Sequence, residues 1–329
     1  MKPLNWATLG CGVIANELAT ALARQNRHLY SVANRTHEKA VAFAEKYQIS
    51  KVYDHLEDVF TDPDVDIIYI STPHNTHIQY LRQALANGKH VLCEKSITLN
   101  ASELDEAISL AEKNHVILAE AMTIFHMPIY RKLAEIVNSG TLGPLRLIQV
   151  NFGSYKEYDM NNRFFNRNLA GGAMLDIGVY ALSLIRWFFT KTADQVLSQV
   201  KYAPTGVDEQ AGILLMNPAG EMATVTLSLH AKQPKRATIA FDKGYIEIFE
   251  YPHAMEATIT YTGDGHKETI KAGDTSDALS YEVADMEAAV RSNNLSTVES
   301  LMHITYTQDV MHIMTDIRNN WGMKYPEEE

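Results

Sequence analysis

Cysteine is nearly absent: the 329 residues include two, Cys11 and Cys93. That is too few for a disulfide framework and fits a reducing compartment, so a cytoplasmic location is expected. Positive charge is also in deficit. Lysine and arginine total 29 against 40 aspartates and glutamates, a formal net charge of −11. The summed field repels phosphate backbones and anionic lipid surfaces, which argues against nucleic-acid and membrane partners. No run of roughly 18 or more apolar residues occurs. The opening Met1-Lys2-Pro3-Leu4-Asn5 lacks the apolar stretch of a secretory signal. Internal repeats and low-complexity linkers are missing too, so the domain boundary expected near residues 121–125 is a change of pattern rather than of composition. What remains is an ordinary globular composition, 46% apolar and 21% charged. At this length the prior is about two domains with a core that needs no covalent staples.

From Leu4 to Glu120, short β-rich runs alternate with longer stretches of helical period, the pattern of βαβ units and a parallel sheet. The runs predict strands at Ala7–Gly10, Leu29–Ala33, Lys51–Tyr53, Asp66–Ser71, His90–Cys93 and Val116–Glu120. Apolar spacings of three and four predict helices at Ile14–Arg24, His37–Tyr47, Thr76–Asn87 and Ser102–Lys113. Asn100 or Ser102 is the expected N-cap of the last, and Asn87-Gly88 reads as a helix C-cap. After Met122 the texture changes. Helices at Pro128–Asn138 and Gly172–Phe189 are followed by strand-like runs at Val196–Tyr202, Gly212–Met216, Ala223–Leu229, Ala237–Phe241, Tyr245–Glu250 and Ala257–Tyr261. Turns such as Asn217-Pro218-Ala219-Gly220 suit hairpins, so this sheet should be mostly antiparallel. Helices around Ser280–Arg291 and Ser300–Arg318 come next, and the tail Tyr325-Pro326-Glu327-Glu328-Glu329 is expected to fray. The expected fold is α/β: residues 1–122 form a doubly wound parallel sheet of Rossmann type, and residues 123–329 an α/β domain with a large open sheet.

Gly10-Cys11-Gly12-Val13-Ile14-Ala15 follows the first predicted strand and opens the first helix, matching the dinucleotide fingerprint in its required context. Gly10 permits the tight turn, Gly12 admits a pyrophosphate to the helix N-terminus, and Ala15 allows close helix-to-strand packing. The alternative is a glycine turn packed for its own sake. The second strand ends Val32-Ala33-Asn34-Arg35-Thr36, with no acid between Tyr30 and His37 to hold a ribose 2′-hydroxyl. Arg35 instead offers a planar donor fork for a 2′-phosphate, favouring NADP over NAD, though NAD stays possible and Arg35 could be a plain surface residue.

Ser71-Thr72-Pro73-His74-Asn75-Thr76-His77 follows the fourth strand, on the carboxyl edge where open α/β sheets bind ligands. Ser71, Thr72 and Pro73 are placed to line a cofactor. His74 and His77 have a metal-like spacing, but no cysteine or carboxylate pairs with them in the segment. They read as helix-capping or cofactor-contact residues, and no metal is expected. Cys93-Glu94-Lys95-Ser96 leaves the fifth strand on the same edge, where Lys95 would reach a nicotinamide ribose and a substrate hydroxyl; an ordinary solvated Glu-Lys pair is the bland reading. Gly171-Gly172-Ala173-Met174-Leu175-Asp176-Ile177-Gly178-Val179-Tyr180 is a glycine turn leading into an apolar helix, with an acid and a phenol four residues apart on one face. A carboxylate and a tyrosine facing a lysine would make an acid/base constellation, since a nearby cation draws the phenol pKa down from about 10. The competing reading is an amphipathic core helix with Tyr180 packed and Asp176 bonded to backbone.

In order and context, Gly10 to Ala15, Thr72-Pro73 to His77, Glu94-Lys95 and Gly171-Gly172-Ala173 through Asp176 resemble the glucose-fructose oxidoreductase, inositol dehydrogenase and MocA (Gfo/Idh/MocA) family over nearly the whole chain. The resemblance implies a Rossmann domain followed by a sheet domain that often forms a homodimer or homotetramer interface. It also implies NAD(P)-dependent chemistry on sugars and related alcohols or carbonyls. Two positions depart from the usual pattern: Ser96 replaces a proline after Glu-Lys, and Tyr180 replaces a histidine four residues after the helix aspartate. With Arg163 in Asn162-Arg163-Phe164-Phe165, the tyrosine resembles the dimeric dihydrodiol dehydrogenase and D-xylose:NADP 1-dehydrogenase branch, where it is the general acid/base. The expected activity is NADP-preferring hydride transfer at a secondary alcohol or carbonyl of a small sugar, polyol or diol. The expected catalytic residues are Lys95, Tyr180 and Asp176, with Arg163 and Tyr155 on the substrate wall. Two rivals stay open. One is an enzyme that keeps NAD(P) bound and recycles it on glycosides or sugars; the other is an NADP-binding regulator without turnover.

Overall fold

In a computed structural model, residues 3–292 and 294–329 are described. Met1 and Lys2, part of the opening segment read above, lie outside them. Contacts divide the chain into two units, Met1–Ala121 with Leu279–Thr305, and Met122–Ala278 with Tyr306–Glu329.

The first unit is built on six parallel strands, β1 (Trp6–Leu9), β2 (Ser31–Ala33), β3 (Lys51–Val52), β4 (Ile67–Ile70), β5 (His90–Glu94) and β6 (Leu118–Ala121). Their order, β3-β2-β1-β4-β5-β6, reverses at β1 and β4. That is the dinucleotide-binding order, with the ligand crevice at the carboxyl edge of the switch point. Short continuous apolar runs such as Ile67–Ile70, wholly buried, are what a sheet covered on both faces requires. The helices follow the predicted periods, including His37–Tyr47 and Ala101–Lys113. Asn100 caps the latter, its side chain accepting the Glu103 N–H at 3.0 Å, while Glu103 Oε2 accepts Leu99 N–H at 2.9 Å. The cap satisfies one orphan donor of the helix, and Glu103 fixes the residue that enters it.

Residues 279–305, grouped above with the second domain, return to this unit. Val283, Met286, Ala289 and Met302 share one core with Trp6, Leu18, Leu22 and Phe43. Removing a methionine side chain such as Met286 from water contributes about 1.5–3 kcal/mol, enough to fix where the segment packs. A polar tie reinforces it. Glu287 accepts the Trp6 indole N–H at 3.0 Å, pairs with Arg27, and meets Arg291 Nη1 at 2.9 Å.

The second unit carries eight strands, β7 (Leu145–Gly153), β8 (Gln195–Tyr202), β9 (Asp208–Met216), β10 (Met222–Ser228), β11 (Gln233–Phe241), β12 (Gly244–Phe249), β13 (Glu256–Tyr261) and β14 (Lys267–Lys271). Their order is β14-β13-β12-β11-β7-β10-β9-β8. Every neighbouring pair is antiparallel except β7 and β10. Strict alternation divides the sheet: Ile148, Val150, Ile213, Leu215, Val225 and Ile239 are buried on one face. Leu147, Leu197, Met222 and Phe249 stand exposed on the other, as the register pairs require. The stretch Arg167–Phe188 is long and apolar enough to cross a membrane, but 78% of its apolar window is buried inside the protein, as in a core helix.

Candidate active site

In the first unit, β1 leads into a turn that only glycine fits. Gly10 has φ +109°, and a Cβ there would lie 2.9 Å from both Ser71 O and Ser71 Oγ. Its N–H donates to Ala33 O at 2.9 Å, while Ser71 N–H donates to Leu9 O at 2.9 Å, so the turn locks the ends of β1, β2 and β4 together. Gly12 then N-caps helix Val13–Arg24 in an extended conformation, and no side chain caps it. Val13 is 79% exposed whereas Ala15 is fully buried. Uncapped N–H groups at an open helix start are what a pyrophosphate needs, so the residues fit a dinucleotide. Burial pushes the Cys11 thiol up to about 11, against the lowering pull of the Lys39 ammonium. The cysteine is thus an inert neutral group, and Lys39 is a nearby cation the sequence reading missed. Its only signal was a basic residue in the first turn of helix His37–Tyr47. Asn34 and Arg35 directly follow β2; Asn34 Nδ2 donates to Thr36 O at 2.9 Å, and Arg35 is exposed.

The two histidines brace a loop. His74 Nε2 lies 3.0 Å from Lys95 O, while His77 Nδ1 lies 3.0 Å from Ser96 O and its Nε2 2.8 Å from Thr72 O. Burial draws the His77 pKa down, opposed by those carbonyls. Their three-residue spacing therefore serves to tie segment 72–77 to segment 95–97. Glu120 grips the same loop from β6, accepting Ile97 N–H at 3.1 Å. The Lys95–Ser96 peptide is cis. Glu94 ends β5 half-buried and accepts a hydrogen bond from Tyr69 Oη. Burial raises its pKa, while that hydrogen bond and the Lys95 charge pull the other way. Lys95 is thus carried on a backbone pinned by His74, His77 and Glu120, a rigidity that a positioned catalytic amine needs.

In the second unit, Gly171 and Gly172 make the turn possible. A Cβ on Gly171 would come 2.6 Å from Arg163 O, and one on Gly172, at φ +124°, would collide with Asp208 Oδ1. The chain then runs through a π-helical turn, Met174–Gly178, into helix Val179–Phe188. Such turns recur at functional sites. From residue 170 to 185, Asp176 and Tyr180 alone are not fully buried. Their neighbours are buried as in a core helix, while these two keep part of their surface accessible. Asp176 Oδ1 lies 3.5 Å from Arg163 Nη2. Arg163 stands over the Phe164 ring at 4.6 Å, and the Tyr180 ring is 6.1 Å from that of Phe152 on β7. Arg163, Asp176 and Tyr180 thus belong to one neighbourhood.

Tyr155 is 61% exposed and stacks on His230, ring centroids 6.0 Å apart. Tyr158 packs against the same His230 at 4.3 Å and donates to Glu209 Oε2 at 2.6 Å. That bond, chiefly, and then burial raise the Tyr158 pKa. Lys201 completes the group, with its Nζ 2.6 Å from Glu209 Oε1. Tyr158 and His230 were missed in the sequence, because a tyrosine three residues after Tyr155 in a loop carries no periodic signal. Among the described residues, no cluster of three or more His, Cys, Asp or Glu is arranged to hold a metal.

A Rossmann sheet with an uncapped glycine turn is the architecture of a dinucleotide-binding domain, the class of nicotinamide-dependent oxidoreductases. The GFO/IDH/MocA oxidoreductase family, described by its NAD-binding Rossmann fold, matches residues 4–122, and its C-terminal domain matches residues 130–247. The chain belongs to that family. It is 33% identical to a mouse trans-1,2-dihydrobenzene-1,2-diol dehydrogenase over 74% of each chain. It is 28% identical to a human enzyme of the same name over 99% of each. Among solved structures, a 3-ketoreductase from Actinomadura kijaniata in complex with NADP and TDP-benzene superposes with a TM-score of 0.83 at 20% identity, over 97% of this chain and 98% of the other. A levoglucosan dehydrogenase complexed with NADH and levoglucosan gives 0.83 at 16% identity, over 96% and 98%. At those identities the likeness establishes the fold.

Proposed function

We propose that this chain is an NADP-preferring oxidoreductase that moves a hydride between the nicotinamide and a secondary alcohol or carbonyl of a small sugar, polyol or diol. The observation that carries this reading is the pair Asp176 and Tyr180, half-buried and four residues apart where every other residue from 170 to 185 is buried. The names of the mouse and human relatives support the diol end of the substrate range. Gly10, Cys11, Gly12, Val13 and Ile14 hold the pyrophosphate. Asn34 and Arg35, helped by Lys39, take the adenosine ribose and its 2′-phosphate. Ser71, Thr72, Pro73, His74, Glu94 and Lys95 line the rest of the dinucleotide, with His77 acting through the loop it braces. When bound, the dinucleotide supplies or accepts the hydride. Tyr180 exchanges the proton of the reacting hydroxyl. Lys95 hydrogen-bonds the reacting oxygen. Asp176 orients the substrate through hydrogen bonds, and Arg163 and Tyr155 form its wall.

The cofactor preference has a direct test. A charge-assisted hydrogen bond is worth about 1.5–3 kcal/mol, and each 1.4 kcal/mol is about tenfold in affinity. Arg35→Ala should therefore weaken NADPH binding by about 10- to 100-fold in fluorescence titrations and leave NADH within about threefold. Equal losses for both dinucleotides, or none for NADPH, would remove Arg35 from the 2′-phosphate site.

The exposed sheet face of the second unit is proposed to associate with a second copy of the chain. Leu147, Leu197, Met222 and Phe249 are apolar, 37% to 70% exposed, and on one face. Large apolar side chains left this exposed on one sheet face gain by burial against a second copy. Light scattering should give a dimer or tetramer, and Leu197→Asp should shift it toward the monomer. A wild-type monomer at micromolar concentration would refute the assignment.

A further inference from the structure

The turn leading into the Asp176–Tyr180 helix is gripped from two directions, both within the second unit. Asp208, fully buried at the start of β9, accepts the Met174 N–H on its Oδ2 at 2.6 Å. The C-terminal segment supplies the other grip. Tyr325, also fully buried, donates its hydroxyl to Gly171 O at 2.7 Å. Arg167, just before the turn, donates from Nε to Lys324 O at 2.8 Å and pairs with Glu329. The segment is itself locked from inside: Arg318, 2% exposed, holds both oxygens of Glu328 at 2.8 and 2.9 Å. Glu328 Oε2 in turn accepts the Tyr325 N–H at 2.9 Å. The tail predicted to fray is therefore tied down. Three consecutive glutamates and a proline gave no hint of it, because the partners Arg318, Arg167 and Gly171 are remote or hidden in apolar context.

Burying an arginine and a carboxylate costs several kcal/mol in desolvation unless geometry and extra hydrogen bonds compensate. Packing alone would be served by apolar residues. What the polar arrangement adds is a fixed position for the Gly171–Met174 backbone, from which Asp176 and Tyr180 project within the next two turns. We propose that Asp208 and the segment Lys324–Glu329 form a clasp that positions the Asp176–Tyr180 helix for proton exchange, making Asp208 and Tyr325 positioning residues. The proposal rests on the reading that Tyr180 exchanges the substrate proton.

Titration of Asp208 gives the clasp a signature. Burial pushes its carboxyl up to about 7, against the backbone N–H groups of Met174 and Ala173 and the positive charge of Arg318. Tyr325, the other titratable group packed on it, is driven well above its usual range by burial and stays neutral. Below about pH 7, Asp208 takes up a proton and ceases to be a full acceptor for the helix start. The kcat of the wild type should then fall on the acid side of about pH 7.

The test compares Asp208→Asn and Tyr325→Phe with the wild type, by pH profiles of kcat and by amide hydrogen exchange of residues 172–180 in the intact protein. Asp208→Asn is expected to lower the kcat plateau about tenfold and abolish the acid limb, with NADPH affinity within twofold. Tyr325→Phe keeps the ring, and with it the fold, and should lower kcat about fivefold while retaining the limb. Both should speed exchange at 172–180 by tenfold or more. Unchanged exchange in the two variants, or an acid limb surviving Asp208→Asn, overturns the clasp; if Asp208→Asn does not fold, Tyr325→Phe decides by exchange and kcat together. Exchange is read without substrate, so it is independent of what Tyr180 does. Full activity in Tyr180→Phe would sink the catalytic reading instead.

Discussion

Replacing Tyr180 by phenylalanine should lower kcat/KM for the carbonyl or alcohol substrate by about 10²–10⁴, the usual contribution of a positioned acid/base group. The substitution removes one oxygen and leaves the ring packed near Phe152, so stability and NADPH affinity should hold. The loss should fall on kcat, since the proton moves in the transition state rather than on binding. Lys95→Met, which keeps the length of the side chain and deletes its charge, should give a loss of the same order. Stopped-flow reduction or oxidation of the nicotinamide separates this step from product release. A change within about twofold for either variant would take that residue out of the chemistry.

Gly10→Ala should be the most damaging single methyl group in the first unit. The backbone there sits at φ +109°, and the added carbon would come 2.9 Å from the Ser71 carbonyl. A side chain held in such a region costs about 1–3 kcal/mol, and the collision adds to it. The strain would be relieved by opening the turn between β1 and helix Val13–Arg24, which is where the pyrophosphate would bind. NADPH affinity should fall about 10- to 100-fold, taking tenfold per 1.4 kcal/mol. Calorimetric titration measures it, and circular dichroism checks that the sheet persists. Gly88→Ala makes a useful contrast, because a Cβ at Gly88 meets nothing within 4 Å and φ is again positive, at +71°. It should cost stability through backbone strain but leave NADPH affinity unchanged.

Most of the first unit was legible because its signals are local. Strands, helices and the Gly10 turn are each specified by a few adjacent residues, and parallel order follows from their alternation. The elements that escaped depend on distant partners. Leu145–Gly153 lies at the middle of the second sheet, yet its role is set by parallel pairing with β10, about 75 residues away. Lys267–Lys271 is an edge strand with a single apolar residue, so it offers no alternation to read. The expected single helix over Ser300–Arg318 is interrupted at His303, which adopts φ +51° without glycine or proline to announce it. At the site, Gly171-Gly172, Asp176 and Tyr180 could be picked out from spacing, but the reason for the glycines could not. It lies in Arg163 and Asp208, which approach them through tertiary folding. His74 and His77 show the same limit: the sequence displays a metal-like spacing, and only the fold reveals that their partners are backbone carbonyls.

Hydride transfer that releases the cofactor is the central expectation for this enzyme. Purified protein should be incubated with NADPH deuterated at either face of nicotinamide C4 and a panel of keto-sugars, dicarbonyls and diol-derived ketones. The products are then read by mass spectrometry and free NADP by absorbance. The expected result is deuterium from one face at a secondary carbinol carbon of at least one product, with one NADP released per label transferred. NADPH bound but unoxidised across the panel, or turnover with the nicotinamide retained and regenerated on the protein, would contradict it.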